Sequence, residues 1–469
     1  MTRTTTHEIT GGVKVVTPDA LNLITPYVLY EQQDWFEDEI HFLRRALQPG
    51  QQAIDIGANY GVYTLSIAKT VGPTGAVWAF EPTSSTAAFL AQGIAANHFT
   101  QVVLEPSALS SKCGTAQLTI NSSPELNALA RAEEPGNASE TVRVVTLDDC
   151  LERYGWENID FVKIDAEGEE ANIIDGGQRF LANSSPLILY EVKAASTLHL
   201  DLVGRFSALG FDSYRLVPGL DLLVPFDTAA QHDGYLLNLF CCKPDRAASL
   251  ADRGLLLTAA SLAAYRAENR FNDFAQAHLQ EYSWQHTLAT LPYAAQSVHL
   301  WESSSDDSSA NAGALACFAI SQDESLDQLE RFSALETALR TLAQLCYGQP
   351  TSLRFSSVAR IARDYGARVV AVDALGKLFE KLSNDTWADP DEPFLAPGKR
   401  FDAIAPRAET LPWLLAGVLE EGERLSAFTS FYTGDTSRAR LELIASLGYG
   451  SEEMRRRLEL VRARFPKAE

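Results

Sequence analysis

Residues 53–69 read AIDIGANYGVYTLSIAK. An apolar run meets Asp55, breaks at Gly57, passes Ala58 and Asn59, breaks again at Gly61 and then takes up helical spacing. A strand, a glycine-bearing turn and a helix in that order bring backbone N–H groups against a nucleotide-like ligand, because glycine lets the chain turn tightly and approach closely. The identity of that ligand is the first question the sequence poses.

Turns of this kind serve NAD, FAD, nucleotide phosphates and S-adenosylmethionine. Dinucleotide folds prefer G-x-G-x-x-G, with the helix N-terminus facing a pyrophosphate. The line from Asp55 to Gly61 lacks that triplet and sets an acid at the strand end, where a pyrophosphate would be repelled. An amino-acid tail carrying an ammonium would instead be stabilised beside that carboxylate. No GxxxxGKS/T loop lies near it, so a phosphate cradle is not supported.

Further along, AVWAFEP ends a second strand on Glu81 and Pro82. A carboxylate there can accept bonds from both hydroxyls of an adenosine ribose, as it does in NAD enzymes. LEPSALS ends a third strand and puts Ser107 and Ala108 near an adenine edge. Each clue has a plainer reading: Gly57 and Gly61 as a tight turn, Glu81 as a charge at a helix N-terminus. In order on three successive strands, they read as an adenosine-ligand site. The most specific stretch is FVKIDAEGEEANIIDGG, 161–177. Its strand delivers Asp165, Glu167 and Glu169 to a C-terminal end, where open α/β sheets bind ligands, with Lys163 one step inside. Acids grouped there are costly unless used or bonded, although Glu169 and Glu170 also suit the N-terminus of the next helix.

The chain of 469 residues is long enough for two or three domains. A strand (VKVVTP) and a helix (DWFEDEIHFLRRAL) are expected in residues 1–50. Strands and helices alternate from 51 to about 245, which predicts a mostly parallel sheet covered by helices, closed by an antiparallel pair from FDSYRLV and GYLLNLFCCK. A long polar excursion with RAEEPGNASET precedes TLDDCLERYG, where Thr146 can cap a short helix. Residues 246–469 show helical spacing, with breaks at SSSDDSSANAG and NDTWADPDEPFLAPGKR. SVARIARDYG and RVVAVDALGKLFEKL resemble one tetratricopeptide-type hairpin, without a period repeated three times.

The formal net charge of −22 repels nucleic-acid phosphates and anionic membrane surfaces, and no long basic run offsets it, so neither partner is expected. No apolar run approaches membrane-spanning length and the N-terminus has no apolar leader. Six cysteines without a CxxC pair fit a reduced cytoplasm and argue against a zinc site.

Together DIGANYGVYT, AFEP, TLDD, VKIDAEGEE with IIDGG, and LILYEVK resemble the FkbM-type methyltransferases, over roughly residues 25 to 243. The resemblance implies a Rossmann-like, seven-stranded class I methyltransferase sheet with the last strand antiparallel, here followed by a mostly α-helical C-terminal domain. It implies S-adenosylmethionine as methyl donor, held by Asp55, Gly57, Ala58, Asn59, Gly61, Glu81, Pro82, Ser107, Ala108 and Asp165. Transfer to a hydroxyl of a sugar, glycan or natural product is expected. Transfer to nitrogen of a peptide or amino sugar, or a scaffold that keeps the fold, are the alternatives. Asp165 is the first candidate for base or acceptor orienter and Glu191, in YEVK, the second; His199 is a further base candidate or a packing residue. Tyr30, Trp35, Glu167 and Lys193 are candidates to meet the acceptor, though Tyr30 and Trp35 equally suit a helix packed on the sheet. Asp165, Glu167 and Glu191 have the chemistry to hold a hard cation, but no metal is expected. The helical region reads as a recognition, docking or dimerisation module, its aromatics suiting either sugar contact or buried packing.

Overall fold

Apolar residues alternate along every central strand, so each strand feeds two cores, one on each face of a sheet. The computed structural model describes residues 3–120, 128–129, 138–194, 197–268, 271, 278–304, 309–348, 351–384 and 391–466. Parts of four expected features fall outside them: 131–137 of the polar excursion, 305–308 of SSSDDSSANAG, 269–270 and 272–277 of the helical pattern at 261–282, and 385–390, with Trp387, of the second break. The chain separates into two units, residues 1–216, 223–232 and 236–256 in one, and 217–222, 233–235 and 257–469 in the other.

In the first unit β1 (Thr4–Ile9) and β2 (Val13–Pro18) form an antiparallel hairpin, followed by α1 (Ile24–Gln32) and α2 (Asp38–Ala46). The helix expected over 34–47 therefore begins at Asp38. The preceding residues run through bends, where Asp34 pairs with Arg44 and accepts the Trp35 N–H. Tyr30, read as suiting a helix packed on the sheet, lies on α1, which is separate from α2. Next come β3 (Gln52–Ile56), α3 (Val62–Val71), β4 (Ala76–Phe80), α4 (Ser84–Ala96) and β5 (Val102–Glu105). The third strand stops there, because Pro106 has no N–H to continue the ladder. Ser107 and Ala108 belong instead to β6 (Ser107–Leu109) of a separate sheet, with β7 (Gly114–Ile120), β8 (Ala128–Leu129) and β9 (Ala138–Val145). The excursion read as a polar loop thus carries an antiparallel pair, β7 on β9, with Gly114 opposite Val144 and Thr119 opposite Ser139.

Thr146 caps α5 (Leu147–Tyr154) by accepting the Asp149 N–H at 3.0 Å. After it come β10 (Phe161–Ile164), α6 (Glu170–Asp175), β11 (Leu187–Glu191), a small pair β12 (Lys193–Ala194) and β13 (Thr197–Leu198), then β14 (Asp212–Val217), β15 (Leu222–Pro225) and β16 (Asn238–Cys242). The main sheet runs β15-β14-β16-β11-β10-β3-β4-β5. From β11 to β5 it is parallel; β16 runs antiparallel to both β11 and β14. This is the expected class I methyltransferase arrangement with one strand beyond the seven: β15, whose Leu222 and Leu223 are buried. The strand order reverses between β3 and β10, and such a switch point is where open α/β sheets leave a ligand crevice. Ala53, Phe161, Leu187 and Leu189 pack on one face, and Ile54, Ile56, Val162, Ile164, Ile188 and Tyr190 on the other.

The second unit is helical. Ala310–Gln322 packs on Gln328–Gly348, Ser352–Tyr365 on Arg368–Ser383, and Arg438–Leu447 on Glu452–Arg464. Its aromatics are mostly core: Trp284, Trp301 and Trp413 are buried, with Tyr293 stacked on Trp413 at 5.1 Å. Buried packing rather than sugar contact accounts for them, whereas Tyr432 is exposed. Among the described residues no helix is long and apolar enough to cross a membrane.

A buried ion network ties this unit together. Glu420, fully buried, accepts from Arg400 at 2.8 and 3.0 Å and from the Ser451 N–H at 3.0 Å, and pairs with Arg424 at 3.0 Å. Without Glu420, Arg400 and the Ser451 N–H lose their acceptor, while Arg424 keeps Glu421 and Glu453. Glu420→Ala is expected to destabilise the helical unit by about 3–5 kcal/mol, read as a lowered melting transition by circular dichroism. A change under about 1 kcal/mol, the range of an exposed pair, would contradict this reading.

Candidate functional site

The β3–α3 turn is built by close backbone approach. The N–H groups of Gly57 and Ala58 both donate to the Phe80 carbonyl, at 3.1 and 2.9 Å. Gly57 has φ +79°, and a Cβ there would lie 1.7 Å from the Asp165 carbonyl oxygen. Glycine is therefore obligatory on two counts. Asn59 takes the left-handed region at φ +48°, and its side chain accepts the Tyr60 N–H at 2.6 Å.

Glu81, buried at the end of β4, accepts the Thr83 N–H on Oε1 at 2.8 Å and the Asn59 N–H on Oε2 at 2.9 Å. The Thr83 side chain adds a further bond, and the acceptor capacity left on the carboxylate suits neighbouring hydroxyls. Burial raises the Glu81 pKa to about 7 against those bonds. Asp55 is fully buried; its Oδ2 accepts from Thr64 Oγ1 at 2.5 Å, while Oδ1 is buried without a hydrogen-bond partner. Burial raises its pKa too, with Lys163 opposing. Ser107 Oγ is likewise buried without a partner, on β6, which neighbours β4. Pro82 follows Glu81 half-buried.

The second half of the site surrounds the end of β10. Lys163, buried, donates to Asp165 Oδ2 at 2.7 Å and lies 4.9 Å from the centre of the Tyr63 ring. Burial alone would lower its pKa, but Asp165 and Asp55 outweigh burial and raise it. Carboxylate oxygens of Asp165, Glu167 and Glu191 come within 4.8 Å of one another. Glu191 has its pKa raised to about 10, first by burial and then by repulsion from Asp165, Glu167 and Glu170. The raised pKa favours its protonated form, which can donate a hydrogen bond. Glu170 accepts the Ala166 and Gly168 N–H groups, and Glu169 accepts from Ser110 and Asn172, so these two acids hold the loop rather than face a ligand.

The remaining candidates are scattered. Tyr30 is exposed on α1, a helix that packs on β1 and β2. Trp35 packs against the core and hydrogen-bonds Glu37. Lys193 is half-buried in β12, and His199 is exposed beyond β13. A residue that the sequence reading passed over stands inside the site: Glu37, just before α2, accepts on Oε2 from Tyr63 Oη at 2.5 Å and from Asn238 Nδ2 at 3.3 Å. The acid between Phe36 and Asp38 carried no motif to mark it.

A strand-end acid beneath a glycine turn, a buried carboxylate ending the next strand and an acidic third position at a switch point are features suited to a nucleoside ligand. Residues 55–213 of the chain match the Methyltransferase FkbM domain. The chain carries that domain; it is a methyltransferase and its cofactor is S-adenosylmethionine. No curated protein matches the chain. Among solved structures it is similar to the methyltransferase FkbM of Methylobacillus flagellatus KT, at 14% identity over 43% of this chain and 50% of that one, TM-score 0.29. A SAM-dependent O-methyltransferase of Thermotoga maritima shares 15% over 50% and 76%, TM-score 0.26. An rRNA methylase of Streptococcus thermophilus shares 11% over 44% and 93%, TM-score 0.25. Scores this low carry no argument; the strand order and the site do.

The residues present fit the cofactor. Asp55 Oδ1 and Ser107 Oγ are buried polar atoms without partners, and the Gly57 turn is held against the Asp165 carbonyl, leaving no room for a side chain. Gly57→Ala is expected to abolish binding of S-adenosylmethionine in calorimetry and to lower the melting temperature; retained affinity would show that the backbone contact is dispensable. A pKa raised in the folded state favours the protonated form, so the Glu81 contribution is complete below about pH 4.5 and is lost as pH rises through about 7. Unliganded protein should lose up to about 3 kcal/mol over that interval, and Glu81→Gln should flatten that part of the profile measured by denaturant unfolding.

Proposed function

We propose that the protein transfers a methyl group to a hydroxyl oxygen of a sugar, glycan or other natural product. The observation that carries this reading is the Lys163–Asp165 pair at the end of β10. Lys163 engages Oδ2 at 2.7 Å while the Asp165 side chain keeps 36% of its surface exposed. A carboxylate held this way faces solvent with acceptor capacity left, which suits a group that orients a hydroxyl and takes its proton.

S-adenosylmethionine, when bound, supplies an electrophilic methyl on a sulfonium. Asp55, the Gly57–Gly61 turn, Glu81, Ser107 and Ala108 would hold it. The chain's own residues do the rest. Asp165 receives the proton of the acceptor hydroxyl, Lys163 balances its charge and fixes its orientation, and Glu191 donates a hydrogen bond to the acceptor. Positioning supplies much of the acceleration, because a near-attack geometry removes most of the entropic cost. Glu167 flanks the acceptor side in this reading, with Trp35, bonded to Glu37, at its edge. The net charge of −22 favours a neutral or cationic acceptor over nucleic acid. Six free thiols suit a reducing cytoplasm. The helical unit serves acceptor recognition or self-association.

Asp165→Asn tests the reading. With a panel of labelled-methyl acceptors bearing hydroxyls or amines, it should lower turnover by about 10²–10⁴-fold while the cofactor Kd stays within a few-fold. Turnover confined to amines would move the assignment to N-methylation. Wild-type turnover in Asp165→Asn would remove Asp165 from the reaction.

A further inference from the structure

The ammonium of Lys163 has two carboxylates within its reach. Its Nζ donates to Asp165 Oδ2 at 2.7 Å. Asp55 stands opposite Lys163 in the β3–β10 ladder and attracts the same charge. A lysine side chain is a flexible stem with a point charge at its tip, so it does not choose between two such partners by its own stiffness. Something must hold the tip on Asp165.

Tyr63 is placed to do so. It is buried near the start of α3, in the core on one face of the main sheet, and Lys163 Nζ lies over its ring, 4.9 Å from the centre. The face of an aromatic ring attracts an ammonium through its quadrupole, more strongly where water is excluded. The far end of the ring is itself tied down. The Tyr63 hydroxyl donates to Glu37 Oε2 at 2.5 Å, and Asn238 Nδ2 reaches the same oxygen at 3.3 Å. Glu37 precedes α2, while Asn238 lies on β16 opposite Glu191. Both outer members of this bracket lie outside residues 55–213.

We propose that Tyr63 is a positioning residue for methyl transfer: its ring holds the Lys163 ammonium on Asp165, and Glu37 with Asn238 holds the ring. The proposal rests on the role given to Asp165 above. Tyr63 acts through Lys163 and takes no part in bond making or breaking. Its share of the work is to keep the counter-charge beside the carboxylate that receives the acceptor proton.

The test compares the full chain with Tyr63→Leu, which removes the ring face, and Tyr63→Phe, which keeps the face and removes the hydroxyl. Crystal structures of the two variants need no acceptor. In Tyr63→Leu the Lys163 Nζ should move beyond about 4 Å from Asp165 Oδ2, the limit of an ion pair, with the strands around it unchanged. In Tyr63→Phe it should stay on Asp165. On acceptors turned over in the labelled-methyl panel, Tyr63→Leu should lower kcat by about tenfold, the rate equivalent of one desolvated cation–π contact. The cofactor Kd and the acceptor KM should change little, and Tyr63→Phe should recover most of the loss. If Tyr63→Leu fails to fold, Glu37→Ala, which frees the tyrosine hydroxyl, should lower kcat, and Glu37→Gln, which restores an acceptor for it, should recover the loss. A Lys163–Asp165 pair that stays at 2.7 Å in Tyr63→Leu would overturn the proposal. So would kcat, cofactor affinity and melting temperature falling together with no recovery in Tyr63→Phe. Either result leaves the Asp165 reading standing, whereas wild-type turnover in Asp165→Asn would overturn both.

Discussion

The approach of the Gly57 backbone to the Asp165 carbonyl is the contact on which the site depends. Strands β3 and β10 are parallel neighbours with Asp55 opposite Lys163, and the Asp165 N–H extends the ladder by donating to Ile56 at 3.2 Å. Because the strand order reverses between these strands, the two chain ends diverge beyond the sheet and leave a crevice. Any side chain at position 57 would push the ends apart and separate the cofactor half of the site from the half that holds Lys163 and Asp165. One steric constraint thus fixes how closely the ends of β3 and β10 approach.

Electrostatics does the second share of the work. Two backbone N–H groups hold Glu81, an ammonium holds Asp165, and Thr64 holds one oxygen of Asp55. These bonds fix orientation without cancelling the accumulated negative charge. That imbalance has a direct physical cost in a partly dry site, visible in the raised pKa of Glu191.

The parts legible in the sequence are those where a local pattern and a physical necessity coincide. DIGANYG, AFEP and VKIDAEG mark strand ends, so the places of Asp55, Gly57, Glu81 and Asp165 at or just past the ends of β3, β4 and β10 were legible from the local pattern. Thr146 as a cap was legible for the same reason, being a purely local bond. What sequence reasoning missed depends on long-range pairing. The β7–β9 ladder joins residues across a polar stretch, and β15 is a strand because Leu222 and Leu223 find a core already built by others. Glu37 is the sharpest case: nothing near it in sequence marks it, and only folding brings it to Tyr63 and Asn238. The helical unit was legible in type, through its period, but its aromatic core and the ion network around Glu420 arise from packing.

The most direct test of the account is a crystal structure of the protein with S-adenosylhomocysteine bound. The account predicts the ribose hydroxyls on the two Glu81 oxygens, the amino-acid tail beside Asp55, and the sulfur facing the Asp165 side chain. A ligand bound elsewhere, or one that leaves Glu81 and Asp55 untouched, would contradict it.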